Sequence, residues 1–318
     1  MDHITLRIAC VFDDAYAPHF AALAASLAAT RGAESIEITL LADQGLSCGV
    51  IKQIEQFLAS LDISLNLVDV DDTTRQRLPP AGKYPALIWY RLLLPELLPE
   101  CSRILYLDTD TLALQSLWPL FQQDLGSKLF GAVAQPTREW EKQCRLLGID
   151  PAQDYLNSGV LLMDLETMRR DGFTARALEV AWAQNTMFVL PDQEVLNLAA
   201  QGRWKKLPPK WNAMSHLWLT PGRDDTIYPE SDYLMARCSP AIVHFEGTPA
   251  VKPWHYRSIH PMRGLYRHFR SQTPWPLDQL EGSSPLAAAL RRLPLGWQYK
   301  IAGAKTLLYK LAGLQRKQ

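Results

Sequence analysis

Asp108 and Asp110 stand one residue apart, just past the apolar run RILYL, and Thr109 lies between them. A short, continuously apolar run suits a strand covered on both faces. In an extended segment the side chains at i and i+2 point the same way, so these carboxylates converge at a sheet's carboxyl edge. Open α/β sheets bind their ligands at that edge. Two adjacent carboxylates repel each other strongly unless a cation lies between them. Oxygen ligands of this type suit Mn2+ or Mg2+, which can bridge to a diphosphate. The bland alternative is a solvated acidic turn, since a three-residue string is common.

Three further clusters could join this chemistry. His244 closes the apolar run AIVH, and GTPAVKPWH follows after Phe245 and Glu246. An imidazole among carboxylates favours Mn2+ over Mg2+, although a histidine at a strand end also serves as a hydrogen-bonded structural residue. Gly247 allows backbone to approach a phosphate, and Lys252 can neutralise one. In LPDQEVLN, Asp192 and Gln193 open a helix behind Pro191, where Asp192 taken alone reads as an N-cap. Asn157, Ser158 and Gly159 open the apolar stretch NSGVLLMDL, and alone they read as a turn before a core strand.

These residues need a scaffold, and the first hundred positions supply one. ITLRIACVF, IEITLLAD and ISLNLVDV are strand-like. HFAALAASLAAT and VIKQIEQFLASL between them are helical, the second with Ile51, Ile54, Phe57, Leu58 and Leu61 on one stripe. ALIWYRLLLPELLP reads as a helix as far as Pro95. Beyond RILYL, LFGAVA, NSGVLLMDL and AIVHFEG are strands. DLETMRR opens a helix running towards Asn185, and DQEVLNLAAQG is a helix closed by Gly202. Alternating β and α of this kind implies an α/β fold with a mostly parallel sheet flanked by helices.

The bulk numbers narrow the class. The chain has 318 residues, 47% hydrophobic, with 33 basic and 33 acidic side chains. A zero net charge lacks the electrostatic footprint of a nucleic-acid binder. Five scattered cysteines without CxxC spacing argue against a disulfide framework and for a reducing compartment. MDHITLRIACVF reads as a first strand and not a signal peptide, and no apolar run reaches the roughly 20 residues that span a bilayer. A cytoplasmic protein is the expectation. Charge is uneven all the same: after Glu281 there is no acid, but seven cations interleaved with Leu, Trp297, Tyr299 and Tyr309. We place a boundary near residue 257, giving a domain over 1–257 and a basic, helical C-terminal region over 258–318.

Taken together, DTD, LNSGVLLMDL, PDQEVLN and HFEG…KPWH occur in the order and approximate spacing of glycosyltransferase family 8. The chain resembles in particular the bacterial lipopolysaccharide galactosyl- and glucosyltransferases of that family, from the first strand to about Tyr256. The resemblance implies a GT-A fold, a Rossmann-like nucleotide-sugar domain, and a retaining, Mn2+-dependent (or Mg2+-dependent) hexosyl transfer from a UDP-sugar to a saccharide or glycolipid acceptor. It implies that Asp108, Asp110 and His244 ligate the metal, and that Thr109, Gly247 and Lys252 meet the diphosphate. Asp13 would accept from the uracil, Tyr16 would pack on it, and Arg91 would neutralise phosphate and sugar. Asn157, Ser158, Asp192 and Gln193 would line the donor hexose, with Gln193 nearest the anomeric carbon to steady the cation and Asp192 beside it in the catalytic set. Three positions depart from the family pattern: four residues separate Gly247 from Lys252, Ala15 replaces an Asn, and Gln135 stands where galactose-using relatives tend to have Asp.

The tail over 285–318 reads either as a solvated helix face or as an anchor on anionic lipid. The anchor would put the enzyme peripherally on the cytoplasmic face of the inner membrane, beside a lipid-linked acceptor. Two rival functions are a metal-dependent phosphohydrolase, because DxD also serves phosphoryl transfer, and a non-catalytic UDP-sugar-binding protein.

Overall fold

The computed structural model describes residues 4–43, 45–82, 84–137, 140–150, 154–184, 188–219, 226–249, 251–294 and 297. Its strands are β1 (Thr5–Val11), β2 (Ser35–Ala42), β3 (Ile63–Asp69), β4 (Arg103–Leu107), β5 (Thr111–Ala113), β6 (Phe130–Ala134), β7 (Leu156–Asp164), β8 (Trp204–Lys206), β9 (Ala213–Met214) and β10 (Ile242–His244). Seven of them form one sheet in the order β3-β2-β1-β4-β7-β6-β8. All neighbours are parallel except at β7, which runs antiparallel to both β4 and β6. A second sheet, β5-β10-β9, follows, with three residues between the end of β4 and the start of β5.

The apolar runs behave as two-sided burial requires. Leu105, Leu107, Val160 and Leu162 enter one core, while Ile104, Tyr106, Leu161 and Met163 enter the other. Successive side chains on β4 and β7 therefore face opposite helical layers. The helix Ala17–Thr30 covers one face with small residues, buried from His19 to Leu27. The helix Cys48–Ser60 buries Ile54, Phe57 and Leu58, with Ile51 and Leu61 partly covered beside them.

Two helices differ from the sequence expectation. Pro95 does not end its helix, which starts as a 3-10 turn at Ala86–Trp89 and continues over Tyr90–Leu97. The bond that Pro95 cannot donate is offset by burial of Leu92, Leu93 and Leu94, and Leu98 N–H still reaches the Leu94 carbonyl at 3.1 Å. The helix foreseen from Asp164 to Asn185 is two, Leu165–Arg170 and Phe173–Gln184. Gly172, at φ +64°, takes the left-handed turn that separates them.

The chain past residue 257 does not leave the domain at once. The helix Arg263–Arg270 packs on the helix Ala17–Thr30, and Tyr266 and Phe269 join the same core as Phe20. A short helix, Pro285–Arg291, follows, with the Ser284 hydroxyl accepting from Ala287 N–H at 3.1 Å. Most of the basic tail, 295–296 and 298–318, lies outside the described residues. No helix among the described residues is long and apolar enough to cross a membrane.

Leu161 and Leu162 are adjacent and both fully buried. Leu161→Ala and Leu162→Ala should each lower the unfolding free energy by about 2–5 kcal/mol, read by urea denaturation. A strand open on one face would give one costly change and one mild one.

Candidate active site

The DTD segment is the joint between the two sheets. Asp108 follows the last residue of β4, and Asp110 precedes the first of β5. Asp108 N–H donates to the Gly159 carbonyl (2.8 Å), Phe245 N–H donates to the Asp110 carbonyl (2.9 Å), and the Thr111 hydroxyl donates to the Asp108 carbonyl (2.7 Å). Because β7 is antiparallel to β4, its opening residues Asn157–Gly159 arrive beside the end of β4. Because β10 is antiparallel to β5, its last residue, His244, pairs with Thr111.

His244 Nε2 consequently lies 3.2 Å from Asp110 Oδ1 and 3.9 Å from Asp108 Oδ2. One ligand atom from each of the three residues falls within 4.8 Å of the others. Gly159 leaves the room for this approach. A Cβ there would stand 2.2 Å from His244 Cε1 and 2.9 Å from Asp108 Oδ2, so any larger residue would push the histidine away from the carboxylates.

Which nitrogen of His244 carries the proton follows from two backbone N–H groups. Gly159 N–H donates to Asn157 Oδ1 at 3.0 Å, and Ser158 N–H donates to Gln193 Oε1 at 3.2 Å. Backbone N–H can only donate, so these bonds fix which end of each side-chain amide is oxygen. Asn212 Nδ2 must then donate to Asn157 Oδ1 (2.8 Å), which turns Asn212 Oδ1 towards His244 Nδ1 (2.9 Å). His244 Nδ1 therefore bears hydrogen, and Nε2 faces the carboxylates with its lone pair whenever the ring is neutral. That is the tautomer a metal-ligating histidine needs. Asn212, fully buried, is a functional residue that the sequence reading missed. It belongs to no motif, and its one signal is a lone amide in the apolar stretch WNAM.

The acidic pair is balanced by two cations, buried Arg91 and partly buried Lys252. Arg91 donates to Asp108 Oδ1 (3.0 Å) and to the Ser158 carbonyl (2.9 Å), pairs with Asp192 Oδ2 (3.2 Å), and lies 4.4 Å from the centre of the Tyr106 ring. Its terminal nitrogens are engaged within the protein. Lys252 donates to Asp110 Oδ2, so the longer Gly247–Lys252 loop still delivers the ammonium to the site. Burial pushes both carboxyls up. Lys252 and His244 outweigh burial at Asp110 and hold it well below the usual range, whereas Asp108 stays raised by burial and by Asp110 despite Arg91. Burial pulls the pKa of Lys252 and His244 down, but Asp110 outweighs it at both, leaving each raised. The second proton that His244 accepts would sit on Nε2, the position a divalent cation would take. Geometry, tautomer and donor set thus fit a Mn2+ or Mg2+ ion.

Asp192 does not cap its helix. The N-cap position of Pro191–Ala200 is Leu190, whose apolar side chain cannot cap, and the Ser158 hydroxyl (3.0 Å) and Arg91 hold the Asp192 carboxylate inward. Glu194 takes the capping part by accepting Val189 N–H at 2.8 Å. Gln193 Oε1 accepts from Asn157 Nδ2 (3.2 Å) and from Ser158 N–H, with Gln135 Nε2 at 3.5 Å. Gln193 Nε2 and the Tyr155 hydroxyl are both buried without a hydrogen-bond partner.

A cleft opens from Asp108, Thr109 and Asp110 past Arg91 to Asp13 and Tyr16. Asp13 Oδ1 accepts from Tyr16 N–H at 3.2 Å, and Tyr16 is 41% exposed at the mouth. Gly247 adopts φ +106°, which suits glycine.

The model for Glycosyl transferase family 8 matches residues 7–258. The chain belongs to glycosyltransferase family 8. It is a glycosyltransferase, and its relatives in the family include lipopolysaccharide enzymes. It is 27% identical over 278 residues to general stress protein A of Bacillus subtilis, a match covering 86% of this chain and 96% of that one. It is 25% identical to a lipopolysaccharide 1,2-glucosyltransferase of Escherichia coli, over 72% of this chain and 67% of the relative. A crystal structure of the galactosyltransferase LgtC with donor and acceptor sugar analogues has the same fold, with TM-score 0.72 and 24% identity over 85% of this chain and 96% of that one.

Two outcomes follow for this family 8 enzyme. Gly159→Ala should weaken divalent-cation binding about 10–100-fold in calorimetry, the usual cost of disturbing a metal's supporting shell. Burial raises the Glu194 carboxyl from 4.5 to about 7, so the fold binds its proton more tightly than the unfolded chain does. That stabilisation is full below pH 4.5 and disappears as the pH rises through 7. Glu194→Gln, which keeps an acceptor for Val189, should flatten the melting temperature across that window.

Proposed function

We propose that this glycosyltransferase moves a hexose, galactose or glucose, from a UDP-sugar to a saccharide acceptor with retention of anomeric configuration. The observation that carries this is the convergence of Asp108, Asp110 and a correctly protonated His244 at one end of a cleft whose other end offers Asp13 and Tyr16. That is a diphosphate-metal site joined to a site for a base. Lipopolysaccharide core, or another lipid-linked glycan, is the acceptor class that the family's lipopolysaccharide enzymes favour. Family membership leaves the phosphohydrolase reading without support.

The residues divide the work by charge. Breaking the bond between the anomeric carbon and the phosphate oxygen leaves negative charge on UDP and cationic character on the sugar. A Mn2+ or Mg2+ ion held by Asp108, Asp110 and His244 would supply Lewis-acid charge to the diphosphate. Lys252, which stays charged at any working pH, adds to it, with Thr109 and Gly247 lining the phosphates. Asp13 and Tyr16 hold the base. Arg91, engaged with Asp108 and Asp192, keeps the carboxylates in place.

On the sugar side, Asp192 is tied up by an ion pair to Arg91 and a hydrogen bond from Ser158, and Gln193 is an amide, so neither is an effective nucleophile. This favours attack by the acceptor hydroxyl on the same face that UDP leaves. The hydroxyl proton passes to the departing phosphate oxygen. Its oxygen already takes two donors, so the buried, unpartnered Nε2–H is the group Gln193 would turn to the donor hexose or the incoming oxygen, with Asn157 and Ser158 holding its other end.

The same reading extends to the basic region over 285–318, which would lie on an anionic membrane surface. Leu286 and Trp297 are exposed, at 67% and 62%, in the same stretch of sequence as Arg291 and Arg292. This would make the enzyme peripheral on the cytoplasmic face of the inner membrane.

UDP release should be measured with UDP-galactose, UDP-glucose and UDP-N-acetylglucosamine, in Mn2+ or EDTA. The expected result is metal-dependent release from one hexose donor, abolished by Asp110→Asn. Gln193→Ala should lower turnover about 100-fold, the effect of removing one positioned donor, and normal turnover would take it out of the mechanism. Release of inorganic phosphate in place of UDP would refute the transferase reading.

A further inference from the structure

The loop that brings Lys252 to Asp110 does not hold itself in place. His255 N–H donates to the Lys252 carbonyl at 3.0 Å, and the Lys252 ammonium lies 5.4 Å from the centre of the Trp254 ring. Trp254 stacks on His19 at 3.7 Å, and His19 bonds to the Tyr266 hydroxyl, so one side of the loop rests on the helices Ala17–Thr30 and Arg263–Arg270.

Its other side is sewn to a segment about 27 residues further along the chain. Glu281 N–H donates to the Trp254 carbonyl (3.0 Å), and Tyr256 N–H donates to the Glu281 carbonyl (2.8 Å), forming a single parallel bridge at His255. Gly282 then turns away at φ +67°, and a Cβ there would fall 2.1 Å from His255 Nε2. The Arg291 guanidinium, one helix later, stands 4.9 Å from the centre of the Tyr256 ring. The root of the basic region is thus an added strand-like edge to the Lys252 loop.

We propose that Glu281 and Gly282 are positioning residues for diphosphate binding: their bridge to Trp254–Tyr256 sets the reach of Lys252. How the C-terminal segment is seated would thereby govern the enzyme's grip on phosphate. The inference rests on the reading of the cleft as a UDP site and assigns Lys252 a dependence that the site residues alone do not give it.

The test is a double-mutant cycle on UDP binding by the full chain with Mn2+, with uridine as the phosphate-free control. Lys252→Ala alone should weaken UDP about 10–100-fold, as loss of a charge-assisted bond does. Gly282→Ala should weaken UDP by a similar factor and leave uridine binding unchanged. In the Gly282→Ala background, Lys252→Ala should cost little more. His255→Ala combined with Gly282→Ala, which removes the clash, should restore most of the UDP affinity.

If Gly282→Ala does not fold, Glu281→Pro, which removes the N–H that bonds Trp254, enters the same cycle, with Glu281→Ala as the control for loss of the carboxylate. Additive losses, or equal losses for UDP and uridine, would overturn the proposal. Wild-type protein that binds neither ligand would instead overturn the UDP reading on which it rests.

Discussion

Negative charge crowded at one point of a sheet edge is what the site has to be built around. Asp108 and Asp110 are both largely withdrawn from water, and each is held by its own cation, buried Arg91 or partly buried Lys252. Unpaired carboxylates at that depth would be protonated or would swing out. The surrounding architecture follows from the need to keep them ionisable and adjacent. Arg91 comes from a helix that continues through a proline, Lys252 from a loop braced on both sides, and His244 from the end of a second sheet.

The reversed strand matters as much as the charges. Parallel strands bring their carboxyl ends to the ligand edge, but β7 brings its amino end there. Three consecutive residues, Asn157, Ser158 and Gly159, can thereby use backbone and side chain together against Asp108, Gln193 and Arg91. A parallel strand at this place would have offered the loop after it, with far less backbone order.

Much of this was legible in the sequence because it is written in local patterns. Apolar runs gave the strands, and residues just beyond them gave Asp108, Asp110 and His244. Local patterns failed where tertiary burial decided. The leucines beside Pro95 hold its helix together, and Asp192 abandons the cap position for Arg91 and Ser158. Asn212 was invisible for a related reason: its importance lies in what it links, and the partners His244 and Asn157 are distant along the chain. The seam at Glu281 was equally hidden, since one isolated bridge leaves no periodicity to read. Gly172 is a plainer case, a turn residue passed over inside a pattern that suited one long helix.

The row His244–Asn212–Asn157–Gln193 has a further property. All its members point one way, donor to acceptor, and its direction is set by two peptide groups of β7 that cannot reverse without unpairing the strand. Three of the four side chains are uncharged amides that no physiological pH can titrate. The site is therefore preorganised in the electrostatic sense: its dipoles are aligned before any ligand arrives, and none of the binding energy is spent on turning them.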